Sequence, residues 1–316
     1  MEFKGIHHLT AVSARIRENY RFYSEVMGMR LVKRSVNQDD VSAYHLFYAD
    51  AVGSPGTDLT FFDWPAAPET RGTHSIIQTC LRVRDEGSIG WWEQRLTDLG
   101  VTHEPAAERD GRLTLDLEDP EGQRLALVVD GGSGDPPVAW EESPVPSEYQ
   151  IRGLGPILLS VPDLRPTDEV VRRVANMRPI RTYAGGSSGD SEVHVYEMGG
   201  GGPSAELHIA VEPDLPPARP GAGGVHHVAF RIDDGEYDAW AERLVEMGIR
   251  NSGPVDRYYF RSLYFREPNG ILFEVATDGP GFAMDEDVET LGEKVALPPF
   301  LEPQRERIVA SLKPID

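Results

Sequence analysis

The chain has 316 residues, 40% of them hydrophobic, enough for one large domain or two of ordinary size with proper cores. Its formal net charge is -21, from 52 acidic against 31 basic residues. Such a field repels nucleic acid and anionic lipid, so neither is an expected partner. No run approaches the roughly 20 apolar residues of a membrane span, and the opening "MEFKGIHHLT" lacks a signal-peptide plan, so the expectation is a cytoplasmic protein.

A single cysteine, Cys80, excludes an intrachain disulfide or a thiolate metal cluster. Lying in the strand-like "SIIQTCLRV", it reads as an inert buried thiol. Only Lys4, Lys33, Lys294 and Lys313 are lysines; an acidic, lysine-poor surface stays hydrated in concentrated salt and suits a halophilic source, although codon bias also replaces lysine by arginine. Charge here speaks to environment, not to activity.

In chain order, "GIHHLTAV" predicts a first strand. A helix follows in "SARIRENYRFYSEVMGMR", with Ser13 as N-cap and Gly28 as stop, then strands "LVKRSV", "SAYHLFYA" and "DLTFFDW". The strand around Cys80 leads to an amphipathic helix in "WWEQRLTDLG" and to strands interrupted by "EDPEG". "GPILLSVPD" opens a third unit, with a helix at about 166–177 and strands "IRTYAG", "EVHVYEM" and "AELHIAVE". "GVHHVAF" opens a fourth. Tyr237, Trp240, Leu244 and Met247 share a helix face from about 234 to 247, Gly248 stops that helix, and "REPNG" precedes the last strand.

These units repeat. Trp92, Arg95, Leu96 and Gly100 superpose on Trp240, Arg243, Leu244 and Gly248 at an offset of 148, and the same offset carries "EDPEG" onto "REPNG". The fold expected is α+β: four βαβββ modules, at 5–65, 73–130, 150–212 and 224–278, paired into two open cup-shaped barrels. The Pro/Gly/Ser-rich segment at mid-chain divides an N-terminal domain, 1–140, from a C-terminal one, 141–280, with a tail at 281–316 and a helix at 301–312. Open-edged modules suit a homodimer.

Alternation along a strand puts His227 on a face with Ala229 and Arg231, away from the apolar face of His226, Val228, Phe230 and Ile232. His8 and Thr10 likewise share one face, and His7, Leu9 and Ala11 the other. Glu274 interrupts the apolar run "NGILFEVATD", and a buried carboxylate costs several kcal/mol unless a cation or hydrogen bonds compensate. At the matching places of the other modules stand Gln78, Pro156 and Ala126. Only His8, His227 and Glu274 survive as a set, which predicts one metal site, between modules one and four.

With those residues in hand, the chain resembles the vicinal oxygen chelate superfamily (glyoxalase, bleomycin resistance and extradiol dioxygenase proteins), closest to its hydroquinone-type ring-cleaving dioxygenases. The resemblance rests on "HHLTAV", "MGMRLVKRSVNQDD", "YHLFYADAVGSPGT", "HHVAFRI", "FEVATDGPGFAMDED" and "LGEKVALPPFLEP", and covers nearly the whole chain. It implies Fe(II), with Mn(II) as the alternative, held by His8, His227 and Glu274; O2 as co-substrate; and a small aromatic diol as substrate. Two histidines and one carboxylate bind one face of the ion and leave about three positions open. The resemblance also implies site roles for His7, Thr10, His226, Arg257 and Tyr264. Alternation supports Thr10 and places His7 and His226 on the opposite face.

Two other functions fit the same fold: a glyoxalase-like metal-dependent lyase or isomerase, which generally recruits a fourth protein ligand, and a non-catalytic small-molecule binding protein, which usually lacks the ligand set. Of the other histidines, His45 reads as packed or hydrogen-bonded, His74, His103 and His194 as surface or loop residues, and His208 as part of a relic second cup without a partner acid or histidine pair. "GGGGP" at 199–203 lacks the lysine and helix of a phosphate loop and predicts a hairpin turn, while "DEDVE" at 285–289 predicts a solvated acidic turn.

Overall fold

A computed structural model describes residues 1–315. β1 (Ile6–Ser13), α1 (Ile16–Arg21), β2 (Arg30–Val36), β3 (Tyr44–Ala49) and β4 (Asp58–Asp63) form the first module. β5 (Ser75–Val83), α2 (Glu86–Asp98), β6 (Ala107–Arg109), β7 (Arg112–Glu118) and β8 (Arg124–Val129) form the second. The third holds β9 (Leu154–Val161), α3 (Leu164–Arg173), β10 (Arg178–Gly185), β11 (Ser191–Glu197) and β12 (Glu206–Val211). The fourth holds β13 (Val225–Ile232), α4 (Tyr237–Glu246), β14 (Val255–Asp256), β15 (Phe260–Arg266) and β16 (Leu272–Pro280), and α5 (Arg305–Ser311) lies in the tail.

In every module the first strand pairs in parallel with the last: β1 with β4, β5 with β8, β9 with β12, β13 with β16. Antiparallel pairing of β1 with β13, and of β5 with β9, then joins the modules into two eight-stranded sheets, ordered β14-β15-β16-β13-β1-β4-β3-β2 and β10-β11-β12-β9-β5-β8-β7-β6. Modules one and four thus make one cup, and modules two and three the other.

The helices connect the modules differently. Arg95 on α2 donates from Nε to Val26 O at 3.0 Å and from Nη2 to Glu25 O at 2.8 Å, satisfying carbonyls at the end of the first helix. Its repeat partner Arg243 on α4 does the same to Val174 O at 2.7 Å and Arg173 O at 2.5 Å. The repeated arginine is therefore a cross-module helix cap, which ties module one to two and three to four while the sheets tie one to four and two to three. Each half of the chain contributes to both cups. Trp92 and Trp240, another matched pair, are fully buried on the inner faces of α2 and α4.

Helix boundaries shift by a few residues. α1 starts at Ile16 with Arg15 at its N-cap, because the strand before it runs on through Ser13, whose hydroxyl instead accepts from Arg15 N at 3.2 Å and donates to Glu121. The helix continues as a π-turn over Phe22–Val26 and stops at Gly28, where φ is +68°. α3 ends at Arg173 rather than 177, α4 is preceded by a 3-10 turn at Asp234–Glu236, and the tail helix spans only Arg305–Ser311.

The tail does not trail away. Phe282 and Leu291 pack with Val32, Phe47, Ala49, Ala229, Tyr259, Phe260 and Ala276 in one buried cluster. Lys33, 0% exposed on β2, donates from Nζ to Phe282 O at 3.0 Å, to Asp285 at 2.8 Å and to Glu286. Two carboxylates and a carbonyl thus compensate a buried ammonium. "DEDVE" is accordingly no solvated turn at its start: its first two acids anchor the tail. Farther on, Ala296 N donates to Arg34 O and covers the exposed edge of β2.

Candidate metal centre

Three candidate ligand atoms converge where β1, β13 and β16 meet. His8 Nε2 and His227 Nε2 lie 3.2 Å apart, and Glu274 Oε2 is 3.2 Å from the first and 2.9 Å from the second. All three residues are buried. Glu274 Oε2 has no hydrogen bond despite its burial, while its Oε1 accepts from Ser262 Oγ at 2.5 Å. Without a cation, two nitrogen lone pairs and a carboxylate oxygen would face one another in a dry site. The triangle has the size of one face of an octahedron whose donors lie about 2.2 Å from its centre, so the donor set fits a divalent ion. Burial works to raise the Glu274 carboxyl, and only positive charge on the side of His8 and His227 outweighs it and holds it well below the usual range; a bound cation would supply that charge with both imidazoles neutral.

The adjacent histidines break strict alternation by twin β-bulges. Along the β1/β13 ladder Ile6 pairs with Phe230 and His8 with Ala229, leaving His7 as the extra residue; Thr10 pairs with His227 and Ala11 with Val225, leaving His226 extra. Each bulge swings its imidazole against a ligand histidine, with Nδ1 to Nδ1 separations of 2.8 Å for His7 and His8 and 2.7 Å for His226 and His227. Burial, then the neighbouring histidine, pushes both His7 and His226 down to about 3, so both are neutral acceptors at neutral pH. His7 Nε2 donates in turn to Thr277 O at 3.1 Å. The alternation reading, which put His7 and His226 on the face opposite His8 and His227, is thus corrected: their imidazoles touch those of the candidate ligand pair, where they would favour the tautomer with the proton on Nδ1 and the lone pair on Nε2.

In front of the triad lies a small cavity of about 50 Å³ that opens to solvent. Phe47, Phe62 and Phe260 give it apolar walls, and Arg257, Tyr264 and His45 give it polar ones. Arg257 Nε donates to Tyr264 Oη at 3.2 Å and its Nη2 to Asp39 at 3.0 Å, while Gln38 Nε2 donates to Arg257 O at 2.8 Å. These contacts bridge the mouth between modules one and four. Burial, then Glu274, raises the Tyr264 phenol, which stays a proton donor. Thr10 Oγ1 lies 3.0 Å from His227 Nε2 and 2.8 Å from Thr60 Oγ1, which lies 2.9 Å from His45 Nε2. Thr60 escaped the sequence reading, and His45, read there as packed or hydrogen-bonded, lines the cavity; the available signal was a histidine in phase with Phe47 on a strand of the first module.

The register also shows what became of the other ligand positions. Glu274 pairs with Ala229, two residues past His227, and Thr60 pairs with Thr10, two residues past His8, so Thr60 is the fourth equivalent position of this cup. In the second cup the equivalents are Pro156, Gln78, Ala126 and His208. His208 does have an acid partner: its Nε2 is 3.0 Å from Glu206, with Asp110 nearby. Arg112 holds Glu206 at 2.7 and 2.8 Å, and Arg181 adds a bond at 2.9 Å. Two guanidiniums occupy the place of a cation there, and that group is an ion-pair network. Cys80 is buried in this cup, and desolvation lifts its thiol to about 12, in keeping with an inert role.

Paired βαβββ cups with a histidine–histidine–carboxylate group in one of them define a class of small-molecule metal sites on this fold. Residues 5–127 and 153–275 each match the Glyoxalase/Bleomycin resistance protein/Dioxygenase superfamily, and the chain belongs to that family. It is 45% identical to MhqA of Bacillus subtilis over the full length of both chains; that relative is ascribed by name a ring-cleaving dioxygenase activity. It is 29% identical to the chlorohydroquinone/hydroquinone 1,2-dioxygenase of Sphingobium indicum over 98% of this chain and 96% of the relative. A crystal structure from Bacillus subtilis, to which dioxygenase activity is ascribed, superposes with a TM-score of 0.89 at 33% identity, covering 100% of this chain and 98% of that one. Among the described residues, no helix is long and apolar enough to cross a membrane.

Proposed function

We propose that the chain is a non-haem Fe(II) ring-cleaving dioxygenase acting on a hydroquinone- or catechol-type diol, with His8, His227 and Glu274 as the metal ligands. The observation that carries this reading is the converging, cation-sized triad with Thr60, a weak ligand, at the fourth equivalent position. Three protein donors leave room for both a diol and dioxygen. A glyoxalase-like lyase or isomerase, which generally recruits a fourth protein ligand, fits that arrangement less well. The names of the full-length relatives support the same choice.

Bound iron supplies the electron transfer that lets ground-state dioxygen react with an aromatic diol. The chain's own residues do the rest. His7 and His226 hold the ligand imidazoles in the tautomer that presents Nε2. Phe47, Phe62 and Phe260 seat an aromatic ring and keep water from its faces. Tyr264, kept protonated by burial and polarised by Arg257, is placed to donate to a developing anionic oxygen.

The test is oxygen uptake by anaerobically Fe(II)-loaded protein on addition of hydroquinones and catechols, with Mn(II)-loaded protein in parallel. One equivalent of O2 consumed per ring opened, abolished by His227→Ala, is the expected result. Protein that holds stoichiometric iron yet consumes no oxygen with any diol refutes the reading.

A further inference from the structure

We propose that His45, Thr60 and Thr10 form a proton wire that takes up the proton of a substrate hydroxyl seated beside His227; the proposal rests on the diol reading above. Three side chains from β3, β4 and β1 line up at hydrogen-bonding distances: His45 Nε2 to Thr60 Oγ1 at 2.9 Å, Thr60 Oγ1 to Thr10 Oγ1 at 2.8 Å, and Thr10 Oγ1 to His227 Nε2 at 3.0 Å. When the His227 lone pair is engaged by a cation, Thr10 loses that acceptor. Its hydroxyl oxygen then faces whatever enters beside His227.

Thr10 and Thr60 are wholly buried, so a threonine hydroxyl at each place finds partners only within this chain of groups. The far end is different. The ring of His45 is a wall of the cavity, wedged between Phe47 and Phe62 with centroids 4.0 and 4.4 Å away. The titratable and charged groups facing it are His8 and His227, Arg257, and Glu274. Burial, then His8 and His227, holds His45 well below the usual imidazole range, so it is neutral at neutral pH and has a lone pair to offer. That lone pair, 2.9 Å from Thr60 Oγ1, is the end of the wire that takes the proton.

The substrate O–H bond breaks and its electron pair stays on oxygen. The proton joins Thr10 Oγ1 as Thr10's own proton moves to Thr60 Oγ1 and Thr60's moves to His45 Nε2, giving an imidazolium at the cavity wall. Run backwards, the wire returns the proton to an anionic product oxygen. A bare packing role for His45 and Thr60 would need neither the alignment nor a hydroxyl at both middle positions.

The test uses metal-loaded full-length protein under anaerobic conditions and 4-nitrocatechol, a diol whose spectrum reports its ionisation. Protons released to weakly buffered medium on binding are counted with an indicator dye. Wild type is expected to bind the ionised probe while releasing one proton fewer than that ionisation requires. Thr60→Val and His45→Gln should release that proton to the medium or leave the bound probe protonated, with metal content unchanged; Thr60→Ser should restore the wild-type count. Equal proton counts and spectra in wild type and in the variants overturn the wire while leaving the diol reading intact. Failure of metal-loaded wild type to bind the probe at all overturns both. Should Thr60→Val not fold, His45→Gln and Thr60→Ser still decide between these outcomes.

Discussion

His226 and His227 touch Nδ1 to Nδ1 at 2.7 Å, and His7 and His8 repeat the relation at 2.8 Å across the β1/β13 ladder. A bulge on each strand makes the outer histidine a neutral acceptor for the inner one. This is an imidazole doing what a carbonyl or carboxylate usually does behind a metal-binding histidine.

Replacing the outer residue with an apolar one should therefore loosen metal without touching a ligand. For His226→Leu the expected loss is about 10- to 100-fold in metal affinity, the usual effect of removing such a partner. Competition against a chromophoric chelator measures it, and an affinity equal to wild type would deny the orienting role.

Metal binding should stabilise the fold. At a free Mn(II) or Fe(II) concentration of 100 times the dissociation constant, linkage gives about 2.7 kcal/mol. Urea unfolding with and without metal measures the gain. Glu274→Gln should abolish it, since the carboxamide removes the charge that offsets the cation.

Acid should weaken the metal-free protein from the second cup outward. Burial raises the Glu206 carboxyl, but its bonds to Arg112, His208 and Arg181 together bring it well below the usual range. A depressed acid stabilises fully above its unfolded value, about 4.3, and that contribution is lost as pH falls through the folded value. His208 is lowered by burial, against the pull of Glu206, so below about 6.5 the unfolded chain takes up a proton that the folded one refuses. Both act in one direction: urea midpoints should decline below about pH 6.5 and fall further below about pH 4.3. Replacing His208 by Gln should flatten the first decline.

The tail anchor should show the asymmetry of a buried charge. Removing both acids by Asp285→Ala and Glu286→Ala strands the Lys33 ammonium and should cost about 3–5 kcal/mol. Adding Lys33→Met to that pair should recover much of the loss, because the stranded charge is then gone. A double-mutant cycle by urea unfolding checks this; equal costs with and without Lys33 would mean that the tail is held by Phe282 and Leu291 alone.

The sequence by itself determined the four modules, because repeated residues with fixed roles leave a repeated signal: Arg95 and Arg243 cap helices, Trp92 and Trp240 are buried on the inner faces of α2 and α4. It also singled out His8, His227 and Glu274, which the fold brings together, since an acid in an apolar strand and two histidines at equivalent positions are costly choices for a packed core. The tertiary structure alone decided the bulges. A one-residue slip between two strands depends on how both are paired, and period-2 alternation cannot register it, so His7 and His226 were legible only as a departure from the pattern. The same holds for His45 with Thr60 and for Lys33 with Asp285, pairs 15 and 252 residues apart in sequence. Each partner alone is an ordinary polar residue; only the closing of the cup sets them at hydrogen-bonding distance, out of water, where the pairing has consequences.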